Sequence, residues 1–355
     1  MSILAVGTMS GTSLDGIDIA LCRFWESDER WNFEILDAKT VYYSTDWKGK
    51  LRNAPALGAQ EFLKLNNEYG RYTGDLINQF LQGFQPPDLI ASHGHTIFHQ
   101  PENSFTFQLG NGAAIAAKTN ITTVSDFRNL DVALGGQGAP LVPVGDQLLF
   151  PEFGYCLNIG GFANISFLSD GKRVAFDICP ANIILNEMAM KKGFNFDQDG
   201  QIGALGHIDN QLLLKLNNLG YYKQKWPKSL AREWIEREIT PLLAVSGLSV
   251  EDQAATFYEH IAVQIASTII NNGNMLVTGG GAHNSFLLGK LKSKISCRIT
   301  LPEQKLVDFK EALIFAFLGV LTSSGKINVY SSTTGSTRDH IGGTIFRIER
   351  DDKTH

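Results

Sequence analysis

The sequence predicts an α/β protein of two domains. Three observations lead there. The chain has 355 residues, which suits two domains better than one. Runs rich in β-formers alternate with segments of helical spacing. A pattern of apolar strand, glycine turn and second strand opens the chain and returns just before its middle, as a weak internal repeat.

Residues 3–8 are short and apolar, 17–24 form a second β-rich run and 31–43 a third, so the N-terminus reads as a strand meander. AQEFLKLNNEYGRYTGDLINQFLQ (59–82) carries apolar residues at helical spacing. PPDLIASHGHTIFHQ is a strand emerging from a proline break, GNGAAIAAKTN a turn with a helix, and ITTVSDFRN another strand with a polar end. This alternation predicts a parallel sheet, whose ligands collect at the carboxyl ends of the strands. LGGQGAPLVPVGD (134–146), rich in glycine and proline and poor in charge, marks a crossing between domains or a loop at a cleft. YCLNIGGFANISFLSDGKRVAFDI then repeats strand, glycine turn, strand, turn, strand. Residues 251–272 read as a helix with Ser249 as N-cap. NMLVTGGGAHNSFLLGKL gives strand, glycine loop and helix, and FKEALIFAFLGVLTSSG an apolar helix ending at Gly325.

Composition excludes several classes. The formal net charge of -5 argues against nucleic acid as partner, because that binding relies on a basic footprint. Cys22, Cys156, Cys179 and Cys297 are far apart, so neither a zinc pattern nor a disulfide framework is expected. The opening MSILAVGTMSG lacks the basic and long apolar regions of a signal peptide, and no apolar run is long enough for a membrane span, so the expected location is cytoplasmic.

Chemistry concentrates in three turns. GTMSGTSLDGID (7–18) and NIGGFAN read as hairpin turns, and VTGGGAHN as a strand-to-helix turn. Each exposes backbone N–H groups beside small side chains, which makes an anion-binding concavity, and a helix N-terminus adds its positive dipole end. As an ordered set they predict a nucleotide site, with two turns on the phosphates and the third near the adenosine. Asp15 and Asp18 are either turn-capping residues or ligands of Mg²⁺, which takes carboxylates together with substrate phosphates. Asp177, at a strand end before a proline, is either an N-cap or a general base. His93, His95 and His99 have loose spacing and no acid close by in sequence, which favours hydrogen bonding over metal. Asp126 and Arg128 stand at a strand end; Arg128 suits a substrate carboxylate, or a salt bridge with Asp131. Glu311 opens an apolar helix, as a dipole partner or a ligand of substrate hydroxyls. A Walker A loop and a GxSxG elbow are absent.

This order of turns resembles that of the sugar kinase, actin and heat-shock-chaperone ATPase superfamily. More narrowly, GTMSGTSLDGIDIAL is similar to the signature of anhydro-N-acetylmuramic acid kinases, and the resemblance continues through SHGHTIFHQP, SDFRN, GGQGAPLVP, LNIGGFANI, AFD, VTGGGAHN and KEALIFAFLG. It implies a two-lobed actin-like ATPase (ribonuclease-H-like) fold, with mixed sheets, flanking helices and a nucleotide cleft between lobes. Residues 1–134 plus 325–355 would carry the phosphate hairpin and sugar loops, and 135–324 the catalytic aspartate and adenosine loop. The implied reaction is hydrolytic opening of 1,6-anhydro-N-acetylmuramic acid with phosphorylation of O6 from ATP, in peptidoglycan recycling, by a cytoplasmic homodimer using ATP and Mg²⁺. The implied nucleotide-binding residues are Gly11, Thr12, Ser13, Leu14, Asp15, Gly16, Ile17, Asp18, Gly160, Gly161, Asn164, Gly279, Gly280, Gly281 and Asn284. Asp177 would be the base, Asp15 and Asp18 would hold the metal, and His95, Thr96, Asp126, Arg128 and Glu311 would bind the sugar. The family's DTGPGN is Asp177-Ile178-Cys179-Pro180-Ala181-Asn182 here, which puts bulkier apolar groups beside Asp177. These either raise its pKa by desolvation or narrow the space for the muramyl group. Two other readings stand beside this one: a kinase of a related, non-muramyl sugar, and a nucleotide-binding switch without transferase activity.

Overall fold

The computed structural model describes residues 2–11 and 14–349. The chain forms two compact units, Met1–Phe150 with Phe309–His355, and Pro151–Asp308. No helix among the described residues is long and apolar enough to cross a membrane.

The first unit is built on one sheet. β1 (Ser2–Ser10), β2 (Gly16–Ser27) and β3 (Arg30–Tyr42) are an antiparallel meander, as the three β-rich runs predict. β4 (Leu89–Gln100) pairs parallel with β1, and β6 (Thr123–Ser125) parallel with β4. β5 (Phe105–Leu109) folds back on the far end of β4, and the last strand of the chain, Thr344–Phe346, closes the edge against β6. The sheet is therefore mixed, because the meander reverses direction before the parallel strands are added. The helix Ala59–Phe80 buries Leu65, Tyr69, Leu76 and Ile77, the face its spacing predicts. The helix Gln304–Ser323 lies so close to the sheet that a Cβ on Gly7 would stand 1.9 Å from the Ala312 carbonyl oxygen. This helix is interrupted at Phe309 (φ −117°, ψ 15°), just before Glu311.

The second unit repeats the topology. β7 (Tyr155–Ile159), β8 (Phe162–Ser169) and β9 (Lys172–Pro180) form an antiparallel meander. β10 (Asn274–Thr278) pairs parallel with β7, and β11 (Arg298–Thr300) parallel with β10. In both sheets the first strand thus separates two antiparallel partners from two parallel ones. The faint repeat in the sequence is a repeat of topology. Ser249 does cap its helix, accepting the Asp252 N–H at 3.1 Å, but that helix runs Val250–Ser267 and stops short of 272. The N–H groups of Ile270 and Asn271 go instead to the Tyr155 hydroxyl, at 3.1 and 3.0 Å. One mixed sheet per unit, flanked by helices, is the architecture expected of an actin-like ATPase.

Candidate active site

In the first unit, the candidate residues collect at the carboxyl ends of β1, β4 and β6. Ser10 lies opposite His95 in the β1–β4 register, and Ser92 lies opposite Ser125 in the β4–β6 register. A hydroxyl chain is buried there: Ser10 Oγ bonds His95 Nδ1 at 2.9 Å and the Tyr43 hydroxyl at 2.6 Å, and Tyr43 meets the Tyr69 hydroxyl at 2.5 Å. Burial pushes His95 down to about 4 and Tyr43 up to about 12, so both are neutral at pH 7. Neutral groups with rotatable hydroxyls suit an uncharged polyol. Sequence reasoning misses Ser10 and Tyr43; the only signal for Ser10 is one more hydroxyl in the opening motif. Thr96 is half-buried on the same strand.

The three histidines do not share a ligand. Arg128 Nε donates to His93 Nε2 at 3.0 Å, so the proton of His93 sits on Nδ1, which donates to the Gly94 carbonyl at 2.9 Å. His99 Nδ1 bonds the Thr106 hydroxyl at 3.0 Å. Among the described residues no group of three or more His, Cys, Asp or Glu side chains could hold a metal ion.

Arg128 is held rather than free. Its Nη1 donates to the Gly138 carbonyl at 2.6 Å, which fixes the guanidinium while Nη2 has no partner among the described residues. Asp131, the salt-bridge alternative, accepts instead from the Gly138 N–H and the Thr334 hydroxyl, each at 2.6 Å. Burial lowers Arg128 to about 10, and the charges of Glu311 and Asp131 oppose the fall. Glu311 is pushed up by burial and by Asp18, against Lys310 and Arg128. Asp126 has φ +61° and accepts from Asn129 Nδ2 at 2.6 Å; burial raises its pKa. Arg128, Glu311 and Asp18 therefore share one electrostatic neighbourhood.

The β1–β2 turn is a hairpin, as predicted. Thr12 and Ser13 lie outside the described residues. Gly11 is exposed, Leu14 has φ +60°, and Gly16 must be glycine because a Cβ would stand 2.4 Å from the Val41 carbonyl. Ile17 is buried in the core. Asp15 is exposed, and its main-chain carbonyl accepts from the Tyr43 N–H at 3.0 Å. Asp18 Oδ1 accepts from the Thr40 hydroxyl at 2.6 Å. Among the described residues Asp15 and Asp18 belong to no group of three or more metal-ligating side chains, so they do not enclose a metal by themselves. They fit Mg²⁺, which keeps its waters and takes one or two carboxylates plus phosphate oxygens.

In the second unit, the other two glycine turns meet. The parallel pairing of β7 and β10 sets Thr278 opposite Asn158, so both strands run out into glycines at the same edge. The row continues across the sheet from Asn158 to Asn164 and from Asn164 to Asp177. The five glycines there differ in their reason for being glycine. At Gly279 (φ +82°) a Cβ would stand 2.4 Å from Asn158 Oδ1, and at Gly281 it would stand 2.3 Å from Ile159 Cγ2, so both are demanded by packing. At Gly160, Gly161 and Gly280 a Cβ would meet nothing nearer than 3.6 Å. That open space at a strand edge is a cradle in which backbone can approach a phosphate. The helix Asn182–Lys191 starts beside it, its Asn182 and Ile183 N–H groups held by the Gly160 and Gly161 carbonyls. Asn284 is buried and occupied as a helix cap: it accepts the Leu287 N–H at 3.0 Å and donates to the Tyr258 hydroxyl at 2.8 Å.

Asp177 sits at a bulge. Asp177 pairs with Asn164 and Cys179 with Ala163, so Ile178 is the extra residue, and the bulge re-aims the carboxylate. Its Oδ2 accepts from the Leu230 N–H at 2.9 Å. Burial raises its pKa to about 6, a value partly restrained by that hydrogen bond. Ile178 and Cys179 are buried in the core of this unit, so the bulk of the Ile–Cys pair goes into packing.

The profile of the family described as anhydro-N-acetylmuramic acid kinase matches residues 3–348. A protein named anhydro-N-acetylmuramic acid kinase from Pseudomonas fluorescens is 34% identical over 377 residues, covering 97% of this chain and 99% of that protein. One of the same name from Photobacterium profundum is 33% identical over 379 residues, with 96% and 98% covered. Among solved structures, the chain is similar to component A of (R)-2-hydroxyglutaryl-CoA dehydratase from Acidaminococcus fermentans, at TM-score 0.45 and 14% identity over 88% of this chain and 96% of that one. The chain belongs to the anhydro-N-acetylmuramic acid kinase family.

Proposed function

We propose that this member of the family is an ATP-dependent kinase that opens 1,6-anhydro-N-acetylmuramic acid with water and phosphorylates O6, giving N-acetylmuramic acid 6-phosphate in peptidoglycan recycling. The observation that carries the reading is Asp177: a half-buried carboxylate with a raised pKa at the glycine-lined edge of a sheet. A base poised near neutrality can take a proton from water. Water adds to the anomeric carbon, its proton passes to Asp177, and the bond from that carbon to O6 breaks. O6 then accepts the γ-phosphoryl group and ADP leaves.

The remaining residues bind and orient, as phosphoryl transfer mostly requires. Gly160, Gly161 and Gly280 would face the nucleotide, with the β1–β2 turn (Gly11, Leu14, Asp15 and Gly16) on its phosphates. Asp15 and Asp18 would hold Mg²⁺, which supplies charge neutralisation at the phosphates when bound. Arg128 would take the lactyl carboxylate through its unpartnered Nη2, while Glu311, His95, Thr96 and Asp126 would bind sugar hydroxyls. We further propose a cytoplasmic homodimer.

The reading is tested by an ADP-release assay across anhydro and ordinary sugars. Release with 1,6-anhydro-N-acetylmuramic acid above all others is the expected result; equal release without any sugar would point to the nucleotide switch. Arg128→Ala is expected to raise the KM for the muramyl sugar roughly tenfold to a hundredfold, the worth of one buried charged hydrogen-bond pair. The KM for ATP should stay put. Gly160→Ala is expected to fold with an unchanged denaturation midpoint, because its Cβ meets nothing nearer than 3.7 Å. Its KM for ATP should rise about tenfold as the methyl group enters the cradle.

A further inference from the structure

One segment of the second unit surrounds Asp177 without contributing to the reaction derived above. From the short turn Gly220–Lys223 up to the helix beginning at Arg232, the chain touches Asp177 three times. The Tyr221 hydroxyl donates to the Asp177 carbonyl at 2.5 Å. The Asp177 N–H donates to the Lys228 carbonyl at 3.3 Å, in place of a rung in the sheet. The Leu230 N–H donates to Oδ2 at 2.9 Å. Oδ1 accepts no hydrogen bond among the described residues.

The segment is in turn pinned by aromatic stacking. The Trp226 ring lies flat on Phe176, the residue before Asp177, with centroids 5.6 Å apart and planes 4° apart. It also meets Phe167 edge-on at 5.7 Å. Lys228 Nζ sits over the Tyr221 ring at 4.5 Å and over Phe176 at 5.4 Å, and donates to the Tyr221 carbonyl at 3.2 Å. Trp226 is 40% exposed, so its place on Phe176 is not forced by a surrounding core.

We propose that residues 221–230 form a positioning clamp for the Asp177 carboxylate, which fixes Oδ2 and presents Oδ1 to the attacking water, with Trp226 as the latch that keeps the clamp closed. This rests on Asp177 being the base. A carboxylate on a bulged strand end would otherwise rotate about its last torsion, which is broad for aspartate. One anchored oxygen removes that freedom and leaves one lone-pair face for the proton. The clamp also keeps solvent off Asp177. The other titratable groups facing it are Tyr221 and Cys179, both held neutral by burial, and the nearby cation of Lys228.

The test is the acid limb of kcat/KM against pH, which reports the base of the free enzyme. Leu230→Pro removes the N–H held by Oδ2, and the limb moves up by about one unit. Trp226→Ala opens the segment to water. Burial is the largest influence on Asp177, so this limb moves down by about one unit, although the Oδ2 bond weakens too. A segment that serves stability alone would lower the melting temperature and leave both limbs in place, and that result overturns the clamp. If Leu230→Pro does not fold, Trp226→Ala decides alone. Asp177→Asn is measured alongside: turnover in that variant overturns the base itself, whereas an inactive Asp177→Asn with unmoved limbs elsewhere overturns only the clamp.

Discussion

Asp177→Asn is expected to lower kcat by roughly a hundredfold to ten-thousandfold, the usual contribution of a general base, while ATP still binds. The amide cannot accept the proton from water, yet it keeps the shape and the oxygen that takes the Leu230 N–H. Equilibrium binding of a non-hydrolysable ATP analogue separates loss of chemistry from loss of fold. In the wild-type protein, burial has raised the carboxyl to about 6, and the active form is the ionised one. Activity should therefore be full above about pH 7 and fall about tenfold per unit below pH 6. The same shift bears on stability with its own sign. The folded pKa lies above the unfolded value, so ionising Asp177 costs folding free energy. That cost is absent below the unfolded pKa, grows between the two values and is complete above about 6.

Gly7→Ala is expected to destabilise the protein by about 3 kcal/mol or more, at the upper end of overpacking costs. The added methyl group would stand 1.9 Å from the Ala312 carbonyl oxygen and 2.7 Å from the Ala316 nitrogen. Both obstacles are backbone, so no rotamer change relieves them and the helix Gln304–Ser323 must retreat. Glu311 rides on that helix next to Ala312. Chemical denaturation should show the loss of stability, and the KM for the sugar should rise with it. By contrast, Gly49→Ala, inside the helix Thr45–Asn53 with nothing within 4 Å of the new atom, should stabilise the protein by roughly 0.5–1 kcal/mol and leave the KM unchanged.

These two glycines show how far the sequence can be read. Local pattern reaches the elements: the apolar runs become β1 to β4, and Ser249 and the glycine turns fall where their chemistry requires. It does not reach tertiary competition. The apolar pattern carries the helix after Ser249 on to 272, but the Tyr155 hydroxyl, more than a hundred residues away, captures the Ile270 and Asn271 N–H groups. Topology is half legible. The repeated meander is visible, whereas the crossovers that place β4 and β10 beside the first strand of each sheet leave no local mark.

The site divides in the same way. Asp177, Arg128 and Glu311 stand out because charged residues at strand or helix ends need a reason. Their supports do not stand out. The His93 partner of Arg128 sits on another strand, and the Leu230 partner of Asp177 on an irregular segment with no periodic signal. Asn284 reads as part of the glycine loop, and its side chain is committed to capping the helix that follows. The cradle at Gly160, Gly161 and Gly280 is legible as glycine, but which glycines face open space and which answer to packing is settled only by three-dimensional neighbours.

In the proposed reaction water opens the anhydro ring while O6 takes the phosphoryl group. It is tested most directly by running the reaction in ¹⁸O-labelled water with ATP, Mg²⁺ and 1,6-anhydro-N-acetylmuramic acid, and weighing the product. A control of finished product in the same water sets the background exchange. The expected product is a sugar phosphate with one ¹⁸O at the anomeric carbon and none in the phosphoryl group. No sugar phosphate, or a sugar phosphate without label above the control, would contradict it.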